Sequence, residues 1–182
     1  MQVSQIIITG GHRSWDFNGS DFAFIKDKQL MFCKELLTPD TSMTIKYGLH
    51  SLVINCIEHC QFGRSKHYLF TGSEDTFIKV INVTDSGELK LEQTLRSHLS
   101  SVKTMHVTDF TEDKKILVTA GGRAEFKVWL LEWNEIQNTL FVSEVCTIQI
   151  LTRLNTIQSN HALKVSNINQ PHETLRKPME EP

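Results

Sequence analysis

The chain has 182 residues, 40% of them hydrophobic, and a formal net charge of −2 at pH 7. This is sufficient for one ordinary domain with a sizeable core, and it excludes capture of a polyanion by bulk charge alone. Lys and Arg are scattered rather than blocked, so nucleic-acid binding would need a local patch.

The N-terminal residues lack the basic and long apolar regions of a secretory signal. No apolar stretch approaches the ~18 residues of a membrane span. Cys33, Cys56, Cys60 and Cys146 therefore read as reduced thiols in a cytosolic or nuclear protein, and we place it in the cytoplasm. The Asn-x-Ser/Thr sites at Asn18 and Asn82 then carry no glycosylation meaning.

In chain order, short runs rich in Ile, Val, Phe and Thr predict strands at QIIIT, FAFIK, QLMFC, VINCIEH, YLFTGS, FIKVINV, ELKLEQTL, VKTMHV, ILVTA, EFKVWLL and TLFVSEVCTIQI. Turn clusters such as FGRSK, SEDT, TDSGE, TEDKK and AGGRA separate them. No segment holds a 3.6-residue apolar period over three turns, so the chain reads as all-β to about residue 150.

The runs repeat. HYLFTGSEDTFIKVIN at 67–82 and KILVTAGGRAEFKVWL at 115–130 share a 48-residue offset without a gap, placing Leu69 on Leu117, Thr71 on Thr119, Lys79 on Lys127 and Val80 on Val128. The register extends upstream, with His50 on His98 and Phe62 on Phe110. Such a period marks a repeat architecture. Each unit orders four strands with short connections, hence antiparallel. Runs such as FIKVINV carry apolar groups on both faces, as a sheet packed between two others requires.

Small four-stranded sheets stacked face to face are propeller blades. We expect an incomplete β-propeller: a partial blade at 1–37, a linker at 38–51, complete blades at 52–95 and 96–150, and at 151–182 a polar tail, disordered or an interrupted next blade. The partial blade is expected to lack its innermost strand, and Trp15-Asp16 to precede a strand rather than end one. Two full units and a partial one would leave apolar blade faces at both ends.

With His50 ahead of its first strand, Asp75 in the tight turn and a strand ending in Ile81-Asn82, the unit resembles the WD repeat. The resemblance implies a buried hydrogen-bonded set of His, Ser/Thr, Asp and Trp. Carried over, that set is His50, Ser73 or Thr71, and Asp75 in the first unit, and His98, Thr119 and Trp129 in the second. Ile81 stands in the tryptophan place of the first unit and Arg123 in the aspartate place of the second, so each is expected to lack one member.

GGHRSWDF, FIKDKQL, GLHSLVINC, LFTGSEDTFIKV, RSHLSSV and AGGRAEFKVW together are similar to one group within the WD-repeat family, large multi-blade proteins that partner an FtsJ-like tRNA 2′-O-methyltransferase. That resemblance, over residues 1 to about 131, implies a non-catalytic scaffold for 2′-O-methylation of the tRNA wobble nucleotide. The methyltransferase and tRNA are its implied partners, without a cofactor, small-molecule substrate or membrane. It also implies a parent several times longer.

The residues themselves show no G-x-G-x-x-G after a strand, no Walker loop, no G-x-S-x-G and no H-E-x-x-H. TAGGRA sits between antiparallel strands, where its glycines are expected to supply positive φ. Cys56, His59 and Cys60 invite a zinc reading, but on a strand Cys56 and Cys60 share one face while His59 takes the other, which favours core packing. Arg13 and Arg123, each following a Gly pair or its His, are the candidate partner or RNA contacts. The rival reading is a generic interaction module such as a ubiquitin-ligase substrate receptor. It would favour Arg where Thr84 and Glu132 stand.

Overall fold

A computed structural model describes residues 13–17, 21–35, 42–63, 65–96, 98–151 and 162–167. Among the described residues every regular element is a strand: β1 Arg13–Phe17, β2 Asp21–Lys26, β3 Gln29–Lys34, β4 Ser42–Lys46, β5 Ile54–Phe62, β6 Lys66–Ser73, β7 Ile78–Val83, β8 Leu89–Leu95, β9 Val102–Asp109, β10 Lys114–Gly121, β11 Glu125–Asn134, β12 Thr139–Leu151 and β13 Ala162–Asn167. They form three antiparallel sheets, β1-β2-β3-β4, β5-β6-β7-β8 and β9-β10-β11-β12-β13. The first strands of successive sheets lie beside one another, β1 against β5 and β5 against β9. Inner edges that converge while the sheets stack face to face make this an incomplete β-propeller of three blades.

Stacking explains the composition of the middle blade. Tyr68, Leu69, Phe70 and Thr71 are consecutive on β6, yet each is at most 1% exposed, because neighbours cover both faces. Ile57, Leu69, Ile81 and Leu89 pack on Ala23, Ile25, Leu30 and Phe32 of the first blade. Tyr68, Phe70, Ile78 and Val80 pack on Val102, Met105, Leu117 and Trp129 of the third. Each Val, Leu, Ile, Phe or Met among them contributes about 1.5–3 kcal/mol on burial. At Gly72 the approach is so close that a Cβ would lie 2.6 Å from Val102 Cγ1 and 2.7 Å from Met105 Cε.

The 48-residue period is written into the backbone as well as the side chains. Asn55 is the extra residue in the β5–β6 register and Lys103 in the β9–β10 register. Glu92 and Val145 are the extra residues opposite Val80/Ile81 and Val128/Trp129, which are themselves one period apart. Two bulges thus recur at corresponding strand positions of both blades, increasing local twist where the sheets must coil.

Several expectations change. The first sheet has four strands in its described part, because β4 lies within 38–51, the segment read as a linker. Its innermost strand is β1 itself, which contains Trp15 and Asp16 and pairs with β2. The third sheet gains β13 from within 151–182, read as a tail, through pairs such as Ile148↔Val165. Leu163 and Val165 alternate with Lys164 and Ser166 in β13, a short alternation that β12 extends into a ladder. The Ile-rich run at 6–9 and the remainder of the C-terminal segment lie outside the described residues. Gly121 and Gly122 do not have positive φ; Arg123 (59°) and Ala124 (51°) do. The glycines instead make room, since a Cβ on Gly121 would lie 3.0 Å from His98 Nδ1 and one on Gly122 3.1 Å from Ser100 Oγ.

Candidate functional site

The chemically distinctive side chains collect at one end of the blades, where the β4–β5, β6–β7, β8–β9 and β10–β11 connections meet. Two buried histidine networks organise that end. In the middle blade His50 Nδ1 lies 3.1 Å from the Asp75 carboxylate and His50 Nε2 lies 2.9 Å from Thr71 Oγ1. A carboxylate only accepts, so the Nδ1–H tautomer donates to Asp75 and Nε2 accepts from the threonine hydroxyl. Asp75 also accepts from the backbone N–H of Ser51 at 2.9 Å and of Phe77 at 3.1 Å. One side chain therefore ties the β4–β5 loop to the β6–β7 turn. Ser73 stands apart from the ring: its hydroxyl donates to Leu52 O and accepts from Asp75 N–H. Thr71, not Ser73, is the hydroxyl partner of His50. Ile81, buried in the tryptophan place, adds area but no donor.

The third blade completes the set by a residue that positional matching missed. His98 Nδ1 lies 3.1 Å from Glu125 Oε2, and His98 Nε2 lies 2.7 Å from Thr119 Oγ1, which also accepts from Trp129 Nε1–H at 3.0 Å. Glu125 further accepts from Leu99 N–H at 3.0 Å. The bonds run in one direction, Trp129 to Thr119 to His98 to Glu125, an order in which each bond polarises the next. The expectation that this unit lacks its carboxylate is thereby corrected. Arg123 occupies the position of Asp75, but Glu125, two residues on, reaches back with one more methylene. The signal was available: Glu125, Lys127 and Trp129 share one strand face, and Glu125 is only 2% exposed. A buried carboxylate needs partners. Lys127 Nζ lies 3.6 Å from Glu125 Oε1 and 3.0 Å from Glu144 Oε1, and donates to Thr147 Oγ1.

Burial pushes His50 and His98 below the usual histidine range, and their carboxylate partners only partly offset it. Both rings are thus neutral, as their bonding requires. For Asp75 burial alone would raise the carboxyl, but the N–H groups of Ser51 and Phe77, followed by His50, hold it below its ordinary value. Rings that are buried, neutral and bonded at both nitrogens serve architecture rather than proton transfer, for which a general base needs a free lone pair within reach of substrate.

These networks hold a rim. Arg123 is exposed on the β10–β11 turn. Arg96 stacks over Phe77 at 5.1 Å, and the exposed Lys103 lies 3.9 Å from Glu74. Arg13 opens β1, and its side chain lies outside the described residues.

The opposite end carries a cavity of about 780 Å³ between the second and third blades, lined by Phe62, Lys66, Asp113, Lys115 and Trp133 among others. Its cations are engaged: Lys66 lies over Trp133 at 5.5 Å, and Lys115 is paired with Asp109. Nearby, His59 Nε2 meets His67 Nδ1 at 3.1 Å, and burial, with His67 and Lys115 adding to it, lowers His59 to about 3. Burial raises the Cys60 thiol to about 12. Cys56 and Cys60 both enter the core between the second and third blades. Among the described residues no group of three or more His, Cys, Asp or Glu is arranged to hold a metal ion.

No family model matches the chain. Among curated proteins it is 23% identical over 180 residues to the tRNA (34-2′-O)-methyltransferase regulator WDR6 of Drosophila melanogaster. The match covers 90% of this chain and 17% of the fly protein. The similarity supports a WD-repeat-like relationship, in keeping with the blades and their histidine networks.

Proposed function

We propose that the chain is a non-catalytic WD-repeat scaffold that supports 2′-O-methylation of the tRNA wobble nucleotide by a partner FtsJ-like methyltransferase. The observation that carries this reading is similarity over 90% of the chain to a protein named as a regulator of that modification. The fold by itself does not select among the many uses of a propeller. In this reading bond-making belongs to the partner, and the scaffold contributes orientation and proximity.

Electrostatics restricts how RNA is met. At a net charge of −2 the chain has no broad positive field, so phosphate contacts come from local cations. The network end supplies them, with Arg123 on its rigid turn as the first candidate and Arg96 and Lys103 beside the neighbouring loops. Arg13 is proposed as a further contact on the first blade.

Mass spectrometry of tRNA from cells depleted of the protein tests the reading. We expect loss of 2′-O-methylation at the wobble nucleotide, with other anticodon-loop modifications retained. Intact wobble methylation would overturn the tRNA function and leave a scaffold of unassigned partner.

A further inference from the structure

The end of the blades opposite the histidine networks has the chemistry of a cation acceptor. The β5–β6, β9–β10 and β11–β12 connections meet there between the second and third blades and surround the cavity of about 780 Å³, a volume typical of ligand pockets. Its apolar wall is built across the blade interface. The Trp133 ring of the third blade lies 6.4 Å from that of Phe62 and 6.2 Å from that of Tyr68 in the second. Phe62 and Tyr68 are buried, whereas Trp133 is only partly buried and lines the cavity. The packing therefore fixes the indole while leaving part of it within reach of a ligand. The turn beside it is fixed as well, since Trp133 N–H donates to Asp113 O at 2.9 Å.

Charge around this wall is one-sided. The described lining sets two lysines against the carboxylates of Asp109, Glu112, Asp113 and Glu135. Both lysines are engaged: Lys115 pairs with Asp109 and lies 5.5 Å over Phe62, and Lys66 lies 5.5 Å over Trp133. Glu112, Asp113 and Glu135 are exposed, and among the described residues no ion pair engages their carboxylates. Phosphate is repelled by such a rim, so this end is unlike the network end with its arginines. Lys66 shows what the wall accepts, an ammonium over the face of an indole.

We propose that the cavity docks a basic segment of a partner protein, one cationic side chain taking the place of Lys66 over Trp133 while its neighbours face Glu112, Asp113 and Glu135. Arginine suits the wall better than lysine, because a planar guanidinium stacks on an aromatic face and is more weakly hydrated than an ammonium. The carboxylates bring the segment in and set its orientation, as complementary rim charges do, and the fixed indole supplies the apolar contact. The inference rests on the cavity and its charge, independently of the tRNA reading.

Isothermal titration calorimetry of the full chain with acetylated tetra-arginine amide tests it. The peptide should bind at one site per chain and more weakly as salt rises, and acetylated tetra-glutamate amide should not bind. Glu112→Gln combined with Glu135→Gln should weaken binding by roughly fivefold or more, the effect of two exposed ion pairs. Lys66→Met should strengthen it about two- to fivefold by clearing the indole face. Lys28→Met, on the exposed β2–β3 turn, changes the net charge equally and should leave the affinity unchanged. Circular dichroism matching the parent shows each variant folded, and Lys66→Gln replaces Lys66→Met if the latter unfolds. Absence of binding, an affinity indifferent to the paired glutamine substitutions, tighter binding of spermidine than of the peptide, or equal effects of Lys66→Met and Lys28→Met would overturn the proposal.

Discussion

His98 shows how much one ring holds in place. Its two nitrogens join Glu125 and Thr119, and through them Leu99 and Trp129. Glu125→Ala should leave the His98 Nδ1–H and the Leu99 N–H without an acceptor, destabilising the fold by about 1–3 kcal/mol for each. Glu125→Gln keeps an acceptor oxygen and should recover a substantial part, as read by urea unfolding at a fixed protein concentration. Trp129→Ala should be more damaging, at about 3–5 kcal/mol, since it removes both the indole area and the donor to Thr119. The histidines also set a pH dependence. Burial lowers His50, His59 and His98 relative to the ordinary 6.5, so below that pH the unfolded chain binds protons that the folded chain refuses. Their contribution is complete above about pH 6.5 and declines as pH falls, by up to ~1.4 kcal/mol per unit for each ring. Thermal unfolding between pH 7.5 and 5 checks the sign: the midpoint should drop on acidification, and a midpoint that rises would contradict the neutral-ring assignment.

At the scale of the element, strands are held by what their neighbours leave room for. β6 packs on β9 through Gly72, where a Cβ would intrude on Val102, Met105 and Cys56 together. Gly72→Ala should therefore cost about 1–3 kcal/mol by overpacking, despite the usual preference of strands for a side chain over glycine. Differential scanning calorimetry is the measurement, and an unchanged or raised midpoint would show that the interface gives way. The corresponding residue in the third blade is Ala120, half-buried on β10, and Ala120→Gly should cost about 0.5–1 kcal/mol through added backbone freedom alone. The bulges at Asn55 and Lys103 recur at one period, and Asn55 uses its position to donate to Val102 O at 2.8 Å, joining two inner strands across the interface.

For the whole molecule, the proposed scaffold function predicts a salt-sensitive RNA contact made by a few cations. Arg123→Glu should weaken tRNA binding by the methyltransferase complex and reduce the steepness of its salt dependence, with the fold unchanged because the residue is exposed on a turn. Filter binding over a salt series measures both. Equal slopes for parent and variant would remove Arg123 from the RNA interface.

The strand-rich composition and the 48-residue register were readable from residue order, because β-strands alternate faces with a strict period and a repeated unit repeats its face assignments. His50 with His98 and Thr71 with Thr119 fall in that register, whereas Asp75 and Trp129 were placed by the resemblance to the WD repeat. Glu125 could not be found by matching positions: side-chain length lets a carboxylate two residues away reach the same nitrogen, and reach is a property of three dimensions. Likewise β4 and β13 alternate over only two large apolar residues each, Met43 and Ile45, and Leu163 and Val165, too short a run to stand out from the polar residues around it, and an edge strand is stabilised by the ladder its neighbour offers. The glycines of the β10–β11 turn were assigned to backbone conformation when their role is to admit the His98 loop, a neighbour 23 residues away in sequence from Gly121. Local pattern determined which faces are apolar; only the packing of one sheet on the next decided which of those faces are covered and which network each buried polar group completes, because burial is a relation between segments that the order of residues does not place side by side.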